Sequence, residues 1–115
     1  MSPKTSKHLE DVRDAAAFVL VVTVGKSLED FQADRLLRQA VERNFEIIGA
    51  AIGRLAKDDP ATANRIDSHR DIISFRNLLI HGYDVIDHAK VWQVIHGDLP
   101  SLERQASALL AELSV

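Results

Sequence analysis

The chain has no cysteine, so neither a disulfide framework nor a thiolate metal site is available to it, which fits a reducing cytosol. Aromatic residues make up only 5%. That is thin material for stacking nucleobases, and Trp92, at helical spacing, reads as a core anchor. No apolar run is long enough to span a membrane; the longest, Ala15 to Val24, also contains Thr23. Glu10, Asp11 and Asp14 just upstream are wrong for a secretory signal, so a cytoplasmic location is expected. Blocks of like charge are missing and the net charge is −3. This argues against broad nucleic-acid binding through a basic face, and so against DNA, while leaving room for an RNA cleft made locally positive by arginines. A Gly-rich phosphate loop, a serine-nucleophile elbow, internal repeats and low-complexity stretches are all absent.

What is there belongs to one globular unit. With 115 residues, 46% apolar and 27% charged, residues 1–115 are expected to form a single domain. Leu9, Val12, Ala16, Val19 or Leu20, and Thr23 follow helical spacing, predicting a first helix from Thr5 or Ser6 to Val24, closed by Gly25. Its second half, Phe18 to Val22, is apolar all round, which calls for burial by a second chain as well as by the core. Ser27 and Asp30 read as a capping box for a short helix through Phe31. The longest helix is expected from Asp34 to Lys57, with Leu37, Val41, Phe45, Ile48, Ile52 and Leu55 inward and Gly49 and Gly53 permitting close helix approach. Glu42, Arg43 and Glu46 read as a solvated face with local ion pairs. Asp58-Asp59-Pro60 ends this helix, and Ala61 to Asn64 reads as a connection. Further helices are predicted from Asp67 to His81, from an Asp87 cap through His96, and from the Gly97-Asp98-Leu99-Pro100 step to Leu113. The valine-rich Phe18 to Val22 could form a strand, but no second strand is evident to pair with it, so the fold class is an all-α bundle with short connections.

Five histidines invite a metal reading. His81 and His88 flank a glycine break and His8, His69 and His96 lie far off, so no zinc-hydrolase spacing exists and no metal site is expected; His88 and His96 read as surface or capping residues. Chemistry concentrates instead in Ser74-Phe75-Arg76-Asn77-Leu78-Leu79-Ile80-His81-Gly82-Tyr83. On a helix, Asn77 and His81 lie about 40° apart and Arg76 and Tyr83 about 20° apart. Gly82 is a helix stop, so His81 falls in the last turn, where the helix dipole favours imidazolium. A histidine tuned near neutrality beside a permanent cation suits a phosphodiester.

The run Arg76 to Tyr83 resembles the Arg-x4-His-x-Tyr signature of the HEPN domains, specifically the HepT-like toxins paired with MNT-type nucleotidyltransferases. Ser27 to Phe31, Ala40 to Gly49, Val91 to Ile95 and Asp98 to Pro100 are similar to the same group in the same order, so that the likeness runs from Leu9 to Leu113. Ala50 departs from it, where a glutamate is common, as does His69, where a tryptophan is common. The resemblance implies an antiparallel HEPN-like bundle of four to six helices, acting as a homodimer with both protomers' motifs facing one cleft. It implies a cofactor-free, metal-independent endoribonuclease with His81 as base or acid, Arg76 as phosphate clamp and Asn77 as orienting amide, leaving a 2′,3′-cyclic phosphate. The implied partner is an MNT-type nucleotidyltransferase antitoxin that adenylylates Tyr83. A second reading makes the chain a non-catalytic helical adaptor for that nucleotidyltransferase.

Overall fold

In the computed structural model, residues 3–66 and 86–113 are described. They form six helices and no strand: α1 (Pro3–Val22), α2 (Leu28–Ala33), α3 (Arg35–Asp58), α4 (Pro60–Ala63), α5 (His88–His96) and α6 (Asp98–Leu113). The expected all-α class is what the chain adopts.

The helices stop where local chemistry stops them. The Thr23 hydroxyl turns back to donate to the Val19 carbonyl at 2.8 Å, and Gly25 takes φ 73°, a left-handed turn that suits glycine. The capping box is complete: the Ser27 hydroxyl accepts from the Asp30 amide at 3.1 Å, and the Asp30 carboxylate accepts from the Ser27 amide at 2.9 Å. Asp34, Asp59 and Asp87 cap α3, α4 and α5 by accepting from the amides of Leu37, Thr62 and Lys90. The expected connection after Pro60 is thus itself a turn of helix, set up by the Asp59 cap and by proline at a first-turn position where no amide is needed.

α1 packs chiefly on α3 and next on α6. Leu9, Val12, Ala16 and Val19 are fully buried against Val41, Phe45, Ile48, Ile52 and Leu55 of α3 and Leu99, Leu102 and Ala106 of α6. All six inward positions expected on α3 are buried. Of the two α3 glycines, Gly49 is buried, but a Cβ at Gly53 would meet nothing within 4 Å, so the close approach expected there is not found. The predicted motif helix, Asp67 to His81, lies outside the described residues.

Polar contacts fix the direction of the helices. His8 Nε2 donates to Asp58 Oδ2 at 2.9 Å, and Thr5 Oγ1 donates to Asp59 Oδ2 at 3.0 Å. The start of α1 therefore meets the end of α3, and the two run antiparallel. Past α4, the two terminal guanidinium nitrogens of Arg65 fork onto the Glu112 carboxylate at 2.9 and 2.7 Å, drawing the end of α6 to the same pole. Hydrogen bonds from His8 to Asp58, and from Thr62 and Thr5 to Asp59, hold both carboxyls below the usual carboxylate range.

Two outcomes follow for stability. Phe45→Ala removes a ring that is 1% exposed and should cost about 3–5 kcal/mol in urea unfolding. Because Asp58 and Asp59 titrate lower when folded than when unfolded, their contribution is complete above the ordinary carboxylate value of about 4 and is lost as pH falls through their folded values. Thermal melts from pH 6 down to pH 2 should show that loss, and Asp58→Asn with Asp59→Asn should flatten the acid limb.

Candidate active site

Arg76, Asn77, His81 and Tyr83, the residues that carry the predicted chemistry, lie outside the described residues, as does His69. The frame on either side of them is described. Upstream, Ile66 is buried at 1% exposure and Arg65 is forked to Glu112. Downstream, Ile86 packs on the core, Asp87 caps α5, and α5 buries Val91 and Ile95. Both flanks of the motif stretch are therefore tied to the α1–α3–α6 frame.

The downstream flank carries an aromatic and ionisable cluster. Trp92 is half-buried, its ring 5.2 Å from that of Phe31 and 4.5 Å from that of His96. It anchors α5 onto α2, as expected of a packing residue, although it sits at the edge of the core rather than inside it. His96 is exposed in the last turn of α5 with Nδ1 2.9 Å from the Trp92 carbonyl, within the surface or capping role expected of it. His88 opens the same helix and meets Phe31 edge-on at 6.1 Å. Its Nδ1 is buried and has no hydrogen-bond partner among the described residues.

Glu42 faces this cluster from α3. Arg43 and Glu46 behave as a solvated pair, 3.2 Å apart, but Glu42 does not share that character. It is half-buried, and desolvation pushes its carboxyl above the ordinary range, a shift opposed by the charges of His88 and Arg38 and reinforced by Glu46. Position alone carried a signal for this, since Glu42 adjoins the buried Val41 and lies three residues before the buried Phe45. The described residues therefore hold one sheltered carboxyl and one sheltered ring nitrogen, and no hydrogen bond joins them. His8, set aside as remote in sequence, is committed to Asp58. Among the described residues, no group of three or more metal-ligating side chains stands close enough to hold an ion, and no helix is long and apolar enough to cross a membrane.

Residues 7–109 match the ribonuclease HepT-like family. The chain is 31% identical over 103 residues to a protein of Caldanaerobacter subterraneus subsp. tengcongensis named as a candidate RNase, across 90% of this chain and 91% of that one. It is 32% identical over 99 residues to a probable ribonuclease HepT of Thermococcus cleftensis, across 84% and 86% of the two chains. A further candidate RNase, from Methanocaldococcus jannaschii, is 28% identical over 97 residues, 84% of this chain and 88% of its own. No solved structure matches the chain significantly.

The environment of Glu42 sets a sign that a melt can read. A carboxyl whose folded value is raised destabilises the fold once ionised, so its unfavourable contribution grows as pH rises from the unfolded value toward the folded one. Glu42→Gln should therefore raise the melting temperature at pH 7 and leave it nearly unchanged at pH 3. The side-chain carboxyl resonance of Glu42 should titrate above the ordinary glutamate value.

Proposed function

Because the chain belongs to the ribonuclease HepT-like family, we propose that it is the toxin of a toxin–antitoxin pair, an endoribonuclease whose active site is built from Arg76, Asn77 and His81. The observation that carries this reading is that the match over residues 7–109 takes in the whole Arg76 to Tyr83 motif, with every chemical group of the signature present and in order.

The chemistry follows from the residue types. His81 takes the proton of a ribose 2′-hydroxyl, the 2′-oxygen attacks the adjacent phosphorus, and the bond to the 5′-oxygen breaks as that oxygen gains a proton. The products are a 2′,3′-cyclic phosphate and a 5′-hydroxyl, with no need for a metal. Arg76 meets the extra negative charge of the phosphorane with a planar two-pronged donor, and Asn77 orients the ring or the phosphate. Two protomers sharing one cleft double the arginine there, which reconciles RNA binding with a net charge of −3. The partner in this reading is an MNT-type nucleotidyltransferase that neutralises the toxin in the cytoplasm. An AMP attached to Tyr83 would set bulk and negative charge beside the Arg76 clamp and exclude RNA by sterics and repulsion.

Two experiments bear on this. Arg76→Ala and His81→Ala should each lower RNA cleavage at least a hundredfold and abolish growth arrest, while the far-ultraviolet circular dichroism stays that of the wild type. Retained cleavage in either variant would remove that residue from the mechanism. Co-expression with the partner and ATP should add the mass of one AMP to the wild type and none to Tyr83→Phe; silencing without that added mass would refute control by adenylylation.

A further inference from the structure

Three rings at the contact of α2 with α5 form a graded series from core to solvent. Phe31 is fully buried, Trp92 is half-buried with its ring 5.2 Å from that of Phe31, and His96 is exposed with its ring 4.5 Å from that of Trp92. His96 is tethered as well as stacked. A carbonyl oxygen only accepts, so across the 2.9 Å to the Trp92 carbonyl it is His96 Nδ1–H that donates. Two contacts thus fix an imidazole that stands on the surface, where an untethered side chain would sample several rotamers. Among the described residues Trp92 is the one ring against it, so its other face is open to solvent.

A fixed, open aromatic face at the end of a stack suits an unpaired nucleobase. Every base has a π-face to lay on it, and the ring it meets has little freedom left to lose. A count of Phe, Tyr and Trp passes over this platform, because histidine stands outside that count. Asp98, two residues on, disfavours a phosphate here, so the group taken up is a base and not the backbone. Chain reach bounds the distance to the motif. A fully extended segment from Tyr83 to His88, plus the rise of α5, puts His96 at most about 30 Å from Tyr83, a span that a short oligonucleotide covers. We propose that His96 is a stacking platform for one unpaired base of the RNA, carried on Trp92 and Phe31 and set apart from the scissile phosphate. It holds the strand and takes no part in the proton transfers. The proposal rests on the ribonuclease reading for choosing a nucleobase over another flat ligand.

Trp92 is the only tryptophan, so its emission reads the platform directly. The full chain is titrated with single-stranded RNA whose riboses are 2′-O-methylated, so that no 2′-oxygen can attack and the strand stays whole. The expected result is a saturable change in Trp92 emission, absent with a strand of equal length that lacks bases. His96→Ala should weaken binding about tenfold, the size of one lost base stack, while His96→Phe, which keeps a ring, should stay within about threefold of the wild type. On cleavable RNA, His96→Ala should raise KM and leave kcat as it is. Four results would each overturn the proposal: a His96→Ala chain that binds as tightly as the wild type, a His96→Phe chain as weak as His96→Ala, a baseless strand that shifts the emission as much, or RNA binding with no change in emission. A chain that binds by these rules yet cuts no RNA would sink the nuclease reading and leave the platform standing.

Discussion

Burial of α1 on two sides is the constraint on which the rest of the structure depends. Leu9, Val12, Ala16 and Val19 lie on an arc wide enough for α3 and α6 to pack on at once, and all four are fully buried. Alanine at 16 on α1, and at 51 and 106 on its neighbours, keeps side-chain bulk low at this seam. Burial of apolar surface here is the main favourable term of the fold. The polar contacts supply direction. His8 to Asp58, Thr5 to Asp59 and Arg65 to Glu112 cluster at one pole, and they set which helix end meets which more than how firmly the helices adhere.

The residues on either side of the proposed motif are fastened to this frame. Arg65 and Ile66 lead into the motif stretch, and Ile86, the Asp87 cap and the Phe31–Trp92 packing lead out. The sheltered Glu42 and His88 stand at the exit from this stretch, where a charge is felt more strongly than on an open surface. The family assignment and this frame agree on an all-helical scaffold.

The sequence disclosed the parts of the fold whose causes are local. The Ser27–Asp30 box, the Asp87 cap, the break at Gly97 and the inward stripe of α3 each depend on residues within a turn or two of one another. Contacts fixed by tertiary packing were not legible. His8 reaches Asp58 across fifty positions, and no periodic pattern joins them. α4 is too short to show a period and read as a connection, while Gly53 read as a close approach because spacing cannot tell which helix face will meet a neighbour. The proposed site, Arg76, Asn77, His81 and Tyr83, is read from residue types and resemblance alone, since these residues lie outside the described ones. The partial burial of Glu42 was only faintly legible, in its place between the buried Val41 and Phe45.

The central claim is that this helical scaffold cuts RNA with an imidazole and a guanidinium, using the ribose's own hydroxyl as nucleophile. Analysis of the cleaved ends tests it most directly, on a defined RNA incubated with purified protein in excess chelator. The account predicts fragments ending in 2′,3′-cyclic phosphate and beginning with a 5′-hydroxyl. Fragments bearing a 3′-hydroxyl and a 5′-phosphate, which come from attack by water, would contradict it, as would RNA left whole.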